Sequence, residues 1–250
     1  PTLPENITIE NGGTLNLTGG VTLTNNITIE EGGILNLSGN VNLGCDIAIA
    51  KDGVLNMSGQ YISFAATELS QYANITGEGT IKFSKTNGSA FISNLTNCLS
   101  CDTVIYPSNQ SIIYEPSCTH MLPGTYYNAE ARATEIYLCG DVTVTNQYWN
   151  KQGIVFNGEE GTTITLNFIN SDANRTLTFN IDATITNNTN TNNRISAITV
   201  TDGKKLTFTG NTEINPNLSL LGDIEIAAGA TLSLGGEHIY FANDDFSKTA

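Results

Sequence analysis

Four sulfur- and nitrogen-bearing side chains lie near one another in the sequence and could hold a metal ion. Cys98, Cys101, Cys118 and His120 form the pattern C-x2-C-x16-C-x-H. Three thiolates and one imidazole are enough ligands for a tetrahedral zinc ion. Disulfide bonding is the competing hypothesis, and a composition typical of extracellular β-rich proteins favours it. We therefore predict disulfides among Cys98, Cys101, Cys118 and Cys139, with the zinc site and free thiols as alternatives.

One thiol must stay outside any set of intramolecular disulfides, because the chain has five cysteines and an odd number cannot pair internally. We assign this role to Cys45, which sits alone in a turn of a regular repeat where its counterparts are Asn25 and Ala65. An exposed turn thiol without a local partner suits an intermolecular disulfide. A bond to the cysteines of the central segment is the alternative.

Groups that could catalyse a reaction are few. Enzymes that cleave polysaccharides need clustered carboxylates with Arg, Lys or His nearby, and the chain has only two His residues. The acidic pairs Glu159–Glu160 and Asp244–Asp245 are adjacent in sequence, and adjacent residues of a strand point to opposite faces. No nucleophile elbow, zinc-protease pattern or phosphate loop is present. We expect no enzymatic activity and no cofactor.

Acceptor sequences for N-glycosylation, Asn followed by x-Ser/Thr, occur many times. Asn87, Asn109 and Asn187 fall in predicted loops and are the better candidates if the host glycosylates the chain.

Asn16, Asn36 and Asn56 have the same acceptor sequence but occupy one position of a 20-residue repeat. Stacked turns would place them about 4.8 Å apart, which is too close for a glycan on each. We predict instead a ladder of hydrogen-bonded amides along the outer face.

Aromatic side chains in the middle of the chain offer a second kind of site. Tyr126, Tyr127, Tyr148 and Trp149 could stack on sugar rings, or they could form the core of an irregular segment. The sequence favours the core.

The elements that would position these groups follow from an internal repeat. The segment "ITIENGGTLNLTGGVTLTNN" from Ile7 is followed by two similar 20-residue copies, and a fourth begins at Ile224. Each copy holds three apolar–polar–apolar trios separated by glycine-rich turns, which predicts three short strands. One such coil cannot bury its inner face alone, but stacked coils can. The predicted fold is therefore an all-β solenoid of three-strand coils.

The stacking register can be derived from the same copies. At a period of 20, Leu15 lies over Leu35 and Leu55, so like residues meet. The third copy slips by one residue, which places Ile62 rather than residue 61 over Val41. The last copy shows the same slip, and a shared irregularity indicates a duplicated unit.

The repeat is uneven along the chain and predicts three parts. Residues 1–85 are regular solenoid rungs, residues 86–150 form an irregular segment or insertion rich in Cys and aromatic residues, and residues 151–250 resume the solenoid.

The rungs "GGTLNLTGG" and "GGILNLSGN" resemble those of right-handed β-helical surface proteins: autotransporter passengers, bacterial and archaeal adhesins, and surface-layer or sheath subunits. The resemblance is architectural and covers about half of the chain. It implies a secreted or surface-anchored location, and it carries over no catalytic residues.

Charge and hydropathy restrict the partners. The formal net charge is −14, which argues against nucleic acid and anionic membranes. No apolar run has the length of a membrane span.

The terminal rungs suggest self-assembly. Unpaired strand edges recruit further strands unless they are blocked, and neither flank is long enough for an ordinary helical cap. We expect assembly through Ile7, Ile9, Ile239 and Phe241.

The predicted function is an extracellular structural protein that forms a filament, sheath or layer. The alternative is an adhesin that presents the central segment to a glycan or host surface, and a polysaccharide-acting enzyme is a distant third.

Overall fold

The chain folds as a β-solenoid, as the repeat predicts. The computed structural model describes residues 5–65, 72–171, 175–186, 195–214, 217–235 and 239–241. Over these ranges the chain is all-β without a helix, and parallel strands stack in about 10 turns of about 20 residues each. The predicted fold class and the architectural resemblance are thereby confirmed.

The chain divides into two units, residues 1–124 and 125–250. The three-part division at residues 85 and 150 concerns the regularity of the sequence and stays a prediction.

The strands of the first unit are β1 Ile7–Ile9, β2 Thr14–Leu17, β3 Val21–Leu23, β4 Ile27–Ile29, β5 Ile34–Leu37, β6 Val41–Leu43, β7 Asp46–Ile49, β8 Val54–Met57, β9 Tyr61–Ser63, β10 Asn74–Phe83, β11 Ala90–Ser93, β12 Ser100–Ile105, β13 Ser111–Tyr114 and β14 His120–Met121.

Three rows of parallel strands build the regular part of the first unit. One row runs β1-β4-β7, a second β2-β5-β8, and a third β3-β6-β9. The register of the second row places Leu15 beside Leu35 and Leu35 beside Leu55. The predicted slip in the third copy is also present, because Val41 pairs with Ile62. The long strand β10 then pairs with both β7 and β8 and joins the first two rows.

Alternation explains which side chains form the core. In β4 and β5 the side chains of Ile27, Ile29, Leu35 and Leu37 are buried, while the residues between them face outward. Such alternation puts every second residue on the inner face. Glycine is required where backbone stacks on backbone at a corner, because a Cβ atom on Gly39 would collide with the carbonyl group of the residue one turn earlier.

The second unit repeats the same construction. Its strands are β15 Gly124–Ala131, which begins at the last residue of the first unit, β16 Glu135–Leu138, β17 Val142–Asn150, β18 Ile154–Gly158, β19 Thr163–Leu166, β20 Ile169–Ser171, β21 Arg175–Phe179, β22 Asp182–Thr186, β23 Ile195–Val200, β24 Lys205–Thr209, β25 Asn211–Ile214, β26 Asn217–Leu220, β27 Asp223–Ile226, β28 Thr231–Leu234 and β29 Ile239–Phe241.

Its rows are β15-β17-β19-β22-β24-β27, β16-β18-β21-β23-β26-β29 and β25-β28. The core contains Phe156 and Phe179, whose rings stack with centroids 5.4 Å apart. Ile239 pairs with Leu218, an offset one residue longer than the 20-residue period, as the sequence predicts.

The last copy of the repeat does not start on the row that sequence similarity suggests. The segment from Ile224 matches the one from Ile198 in its apolar pattern, yet Ile224 pairs with Leu206 on the second strand of the preceding coil. The cause is a shorter connection, because only Leu221 and Gly222 separate β26 from β27. The first strand of the last copy therefore stacks on the second strand of the preceding coil instead of on the first.

Candidate functional site: the end rungs

The first rung consists of β1, β2 and β3, and one edge of each strand has no partner strand among the described residues. Within the described ranges each pairs with a single strand, β4, β5 or β6 respectively. The inward side chains Leu15 and Leu17 are half-buried, whereas Leu35 and Leu37 one turn later are 0% and 1% exposed. The first rung therefore presents apolar side chains together with backbone groups that pair with no described strand.

The last rung consists of β27, β28 and β29, and it has the same character. Each of these strands pairs with one strand in the part of the chain that the structure describes, β24, β25 or β26. Ile226 is 51% exposed and Leu234 is 44% exposed, while Phe208, the partner of Ile226, is fully buried. Single exposed apolar residues are ordinary, but Ile226 continues a buried row of the core.

The four residues that the sequence assigns to assembly lie on these rungs. Ile7 is half-buried and Ile9 is buried on β1. Ile239 and Phe241 belong to the backbone of β29, but their side chains lie outside the described part of the structure. Assembly through these residues stays a prediction.

The asparagine ladder predicted from the repeat is present. Nδ2 of Asn36 donates to Oδ1 of Asn16 over 2.8 Å, and Nδ2 of Asn56 donates to Oδ1 of Asn36 over 3.0 Å. Oγ of Ser84 donates to Oδ1 of Asn56 at the far end. All three donors point toward the first rung, so the ladder has a direction.

The cysteines differ from prediction in part. Cys98 is disulfide-bonded and so is Cys139, whereas Cys101 and Cys118 are free thiols. A second disulfide in this set is therefore wrong. Cys118 is fully buried, and its Sγ donates over 3.2 Å to the carbonyl oxygen of Ile92, which lies on β11 of the preceding rung.

The zinc alternative is also wrong for this structure. Cys98 is bonded to sulfur and has no thiolate to offer. Nowhere in the described residues do three or more His, Cys, Asp or Glu side chains form a group that could hold a metal ion. Burial lowers the pKa of His120, and its Nδ1 lies 2.9 Å from Oγ1 of Thr119.

Cys45 is not the exposed thiol that the sequence suggests. Its side chain is 4% exposed, and burial raises its thiol pKa from 9.0 to about 11. The corner at residue 45 turns the side chain toward the core. An intermolecular disulfide at Cys45 would require this corner to open, so the exposure on which that assignment rests is wrong.

The aromatic residues divide into two pairs. Tyr126 and Tyr148 are fully buried in the core, so their proposed stacking on sugar rings is wrong. Tyr127 and Trp149 are half-buried at the surface. Nζ of Lys151 lies 6.0 Å from the centroid of the Trp149 ring.

The glycosylation candidates that the structure describes are exposed. Asn87 lies in a bend and Asn109 in a turn, while Asn187 lies outside the described residues. Exposure leaves both amides accessible to an enzyme, and their modification stays a prediction.

A surface cleft in the first unit has no counterpart among the sequence predictions. It encloses about 400 Å³ between residues 82–86 and 105–109. Lys82 and Lys85 line it, together with Ile105 and Tyr106, and no lining residue is acidic. Two of the lining residues, Phe83 and Tyr106, pack against each other, with their stacked ring centroids 5.5 Å apart. The pairing of β10 with β12 creates this cleft, and the sequence period does not predict that pairing.

No helix in the described residues is long and apolar enough to cross a membrane. In comparisons with known proteins the chain matches no family model, and no curated protein or solved structure is significantly similar to it.

Proposed function

We propose that the protein is an extracellular structural protein that stacks the last rung of one copy on the first rung of the next. The observation that carries the proposal is the exposure of inward-facing apolar residues at both ends: Leu15 and Leu17 on β2, Ile226 on β27 and Leu234 on β28. The row neighbours of the first three, Leu35, Leu37 and Phe208, are buried. A second copy would complete the burial.

The expected strength of this contact is modest. Completing the burial of a half-exposed Leu or Ile contributes roughly 1 kcal/mol, and a backbone hydrogen bond contributes about 1 kcal/mol net. Association loses about 4 to 15 kcal/mol of translational and rotational freedom. The net charge of −14 adds repulsion between copies, which salt screens. Assembly is therefore expected to grow with protein concentration and with ionic strength.

The geometry of the contact determines the kind of assembly. First and last rungs are different surfaces, so the contact is heterologous and propagates instead of closing on itself. The disulfide-bonded state of Cys98 and of Cys139 supports an oxidising, extracellular location, as does the low fraction of charged residues, 14%.

The proposal is tested by static light scattering of the full-length chain over a range of concentration and salt. The intact chain is expected to form particles that grow with both. A variant with Ile226→Lys and Leu234→Lys, which places charge on the last rung, is expected to stay monomeric. Thr22→Lys with Thr28→Lys adds the same charge to the outward face of β3 and β4 and serves as the matched control. An intact chain that stays monomeric throughout contradicts the proposal.

A second candidate function is binding of an acidic saccharide in the cleft of the first unit. Among the described residues, Lys82 and Lys85 have no hydrogen-bond or ion-pair partner, although the chain carries a large negative charge. Ile105 is 44% exposed and offers an apolar surface beside them. Two unpaired cations next to an apolar patch suit a carboxylated or sulfated sugar.

Titration calorimetry with uronic-acid oligosaccharides tests this candidate. Binding should weaken with added salt and be lost in the variant Lys82→Ala with Lys85→Ala. Lys51→Ala removes one exposed lysine from a turn elsewhere in the unit and should bind as the intact chain does. Equal binding of neutral oligosaccharides would contradict a charge-based site.

A further inference from the structure

One hydrogen bond recurs where strands of successive rungs begin. In the first unit, Oδ1 of Asn6 accepts from the backbone N–H of Asn26 over 3.0 Å. One turn later, Oδ1 of Asn26 accepts from the N–H of Asp46 over 3.3 Å. Each acceptor lies at the start of a strand in the row β1-β4-β7, and each donor is the equivalent residue of the next rung.

The second unit uses carboxylates in the same way. Oδ1 of Asp141 accepts from the N–H of Thr163 over 2.9 Å. Oδ1 of Asp182 accepts from the N–H of Lys205 over 2.8 Å. These residues lie at the starts of strands in the row β17-β19-β22-β24. In both units a side-chain oxygen therefore receives the first N–H of the following rung.

The last rung carries such an acceptor without its donor. Asp223 is the first residue of β27 and pairs with Lys205. Its backbone N–H donates to the carbonyl of Lys204, but its exposed carboxylate has no hydrogen bond within the described part of the chain. By the pattern above, it should accept the first N–H of a further rung.

The first rung carries the matching donor. The N–H of Ile7 points to β4, because it donates to the carbonyl of Asn26. N–H groups of successive residues in a parallel strand point alternately to the two sides. The N–H of Asn6 therefore points away from β4, and no described residue accepts from it.

We infer that Asp223 sets the register of the contact between copies by accepting a hydrogen bond from the backbone N–H of Asn6 in the next copy. The inference rests on the proposed function and names the residue that makes the contact specific. Asn6 directly precedes Ile7, as Asp223 directly precedes Ile224, so this bond places Ile7 on Ile224.

The rest of the two rungs then match. Leu15 follows Ile7 by the same number of residues as Leu232 follows Ile224, so the second strands align as well. The neighbouring outward carboxylate on β27, Glu225, already binds Nζ of Lys205 over 2.8 Å. Asp223 is thus the acidic residue of β27 whose carboxylate is available to the next copy.

The test compares the critical concentration for assembly of full-length variants. Asp223→Ala removes the acceptor and should raise the critical concentration about tenfold, as expected for the loss of one charge-assisted hydrogen bond. Asp223→Asn keeps a side-chain oxygen, as Asn6 and Asn26 do in the first unit, and should stay within about threefold of the intact chain. Thermal melting of each variant checks that the exposed substitution leaves the fold intact.

Glu225→Ala is the matched control, because it removes the same charge from the same strand without removing the acceptor. It should assemble as the intact chain does. If Asp223→Ala also assembles like the intact chain, the inference is overturned while the proposed function stands. If Glu225→Ala and Asp223→Ala weaken assembly equally, the effect is not specific to the acceptor at Asp223 and the inference fails. An intact chain that never assembles overturns both.

Discussion

Nδ2 of Asn36 donates a hydrogen bond to Oδ1 of Asn16, 2.8 Å away on the preceding turn. Asn56 repeats the bond one turn later, so Asn36 both donates and accepts. Because each amide is held by its neighbours, the ladder fixes one face of the first unit in register. It also leaves the amide nitrogen of Asn16 directed toward the free edge of the first rung.

Replacing the central amide of the ladder should destabilise the fold. In Asn36→Asp the donor becomes a charged acceptor facing Oδ1 of Asn16, so the bond to Asn16 is replaced by repulsion between oxygens. We expect the free energy of unfolding to fall by about 1 to 3 kcal/mol, measured by urea denaturation. Asn87→Asp makes the same chemical change at an exposed bend and should lie within about 0.5 kcal/mol of the intact chain. Equal effects would contradict a structural ladder.

Equivalent leucines of the first and second rungs should contribute unequally to the free energy of unfolding, because they are unequally buried. Leu37 is covered on both sides and is 1% exposed, while Leu17 in the first rung is half-buried. Leu37→Ala should therefore destabilise by about 2 to 5 kcal/mol. Leu17→Ala should lose clearly less when both are measured by the same denaturation experiment. If Leu17→Ala proved as damaging in monomeric protein, the first rung would have to be covered.

The two buried free thiols, Cys45 and Cys118, should be unreactive in the folded chain. Burial raises the thiol pKa of both Cys45 and Cys118 from 9.0 to about 11, and the thiolate is the reactive form. At pH 8 both should react with a thiol reagent only after unfolding in guanidinium. Rapid labelling of either residue in the native state would contradict their burial.

The same shift predicts how stability depends on alkaline pH. The folded state prefers the protonated thiol, so the stabilisation is complete below pH 9 and is lost as the pH rises through about 11. The free energy of unfolding should fall in that window. The fall should be shallower in Cys45→Ala than in the intact chain, when each is measured relative to its own value at pH 8. An identical slope in both proteins would show that Cys45 does not contribute.

Much of the fold follows from the sequence because the repeat specifies both strand and partner. The alternation around Leu15, Leu35 and Leu55 predicts which side chains point inward, and the fixed period predicts that they pair. The one-residue slip at Ile62 is likewise visible in the sequence and present in the pairing. In a solenoid, the local apolar pattern therefore also predicts which residues of successive turns are in contact.

The other features of the fold and the site depend on geometry that cannot be derived from the repeat period. The direction of a corner side chain decides whether Cys45 is exposed, and one turn sequence fits either orientation. Ile224 pairs with Leu206 because the connection before β27 is short. A comparison of apolar patterns does not reveal the effect of that length. The disulfide pairing among Cys98, Cys101, Cys118 and Cys139 depends on which rungs lie side by side, and spacing in the sequence does not decide that.

Mixing two blocked variants tests the head-to-tail contact most directly. One variant carries Leu15→Lys and Leu17→Lys and blocks the first rung, and the other carries Ile226→Lys and Leu234→Lys and blocks the last rung. Each should sediment as a monomer at a concentration where the intact chain assembles, because each lacks one of the two surfaces. An equimolar mixture should form dimers that grow no further, since one free first rung meets one free last rung. A mixture that stays monomeric at that concentration, or a singly blocked variant that still forms large particles, would contradict assembly through the end rungs.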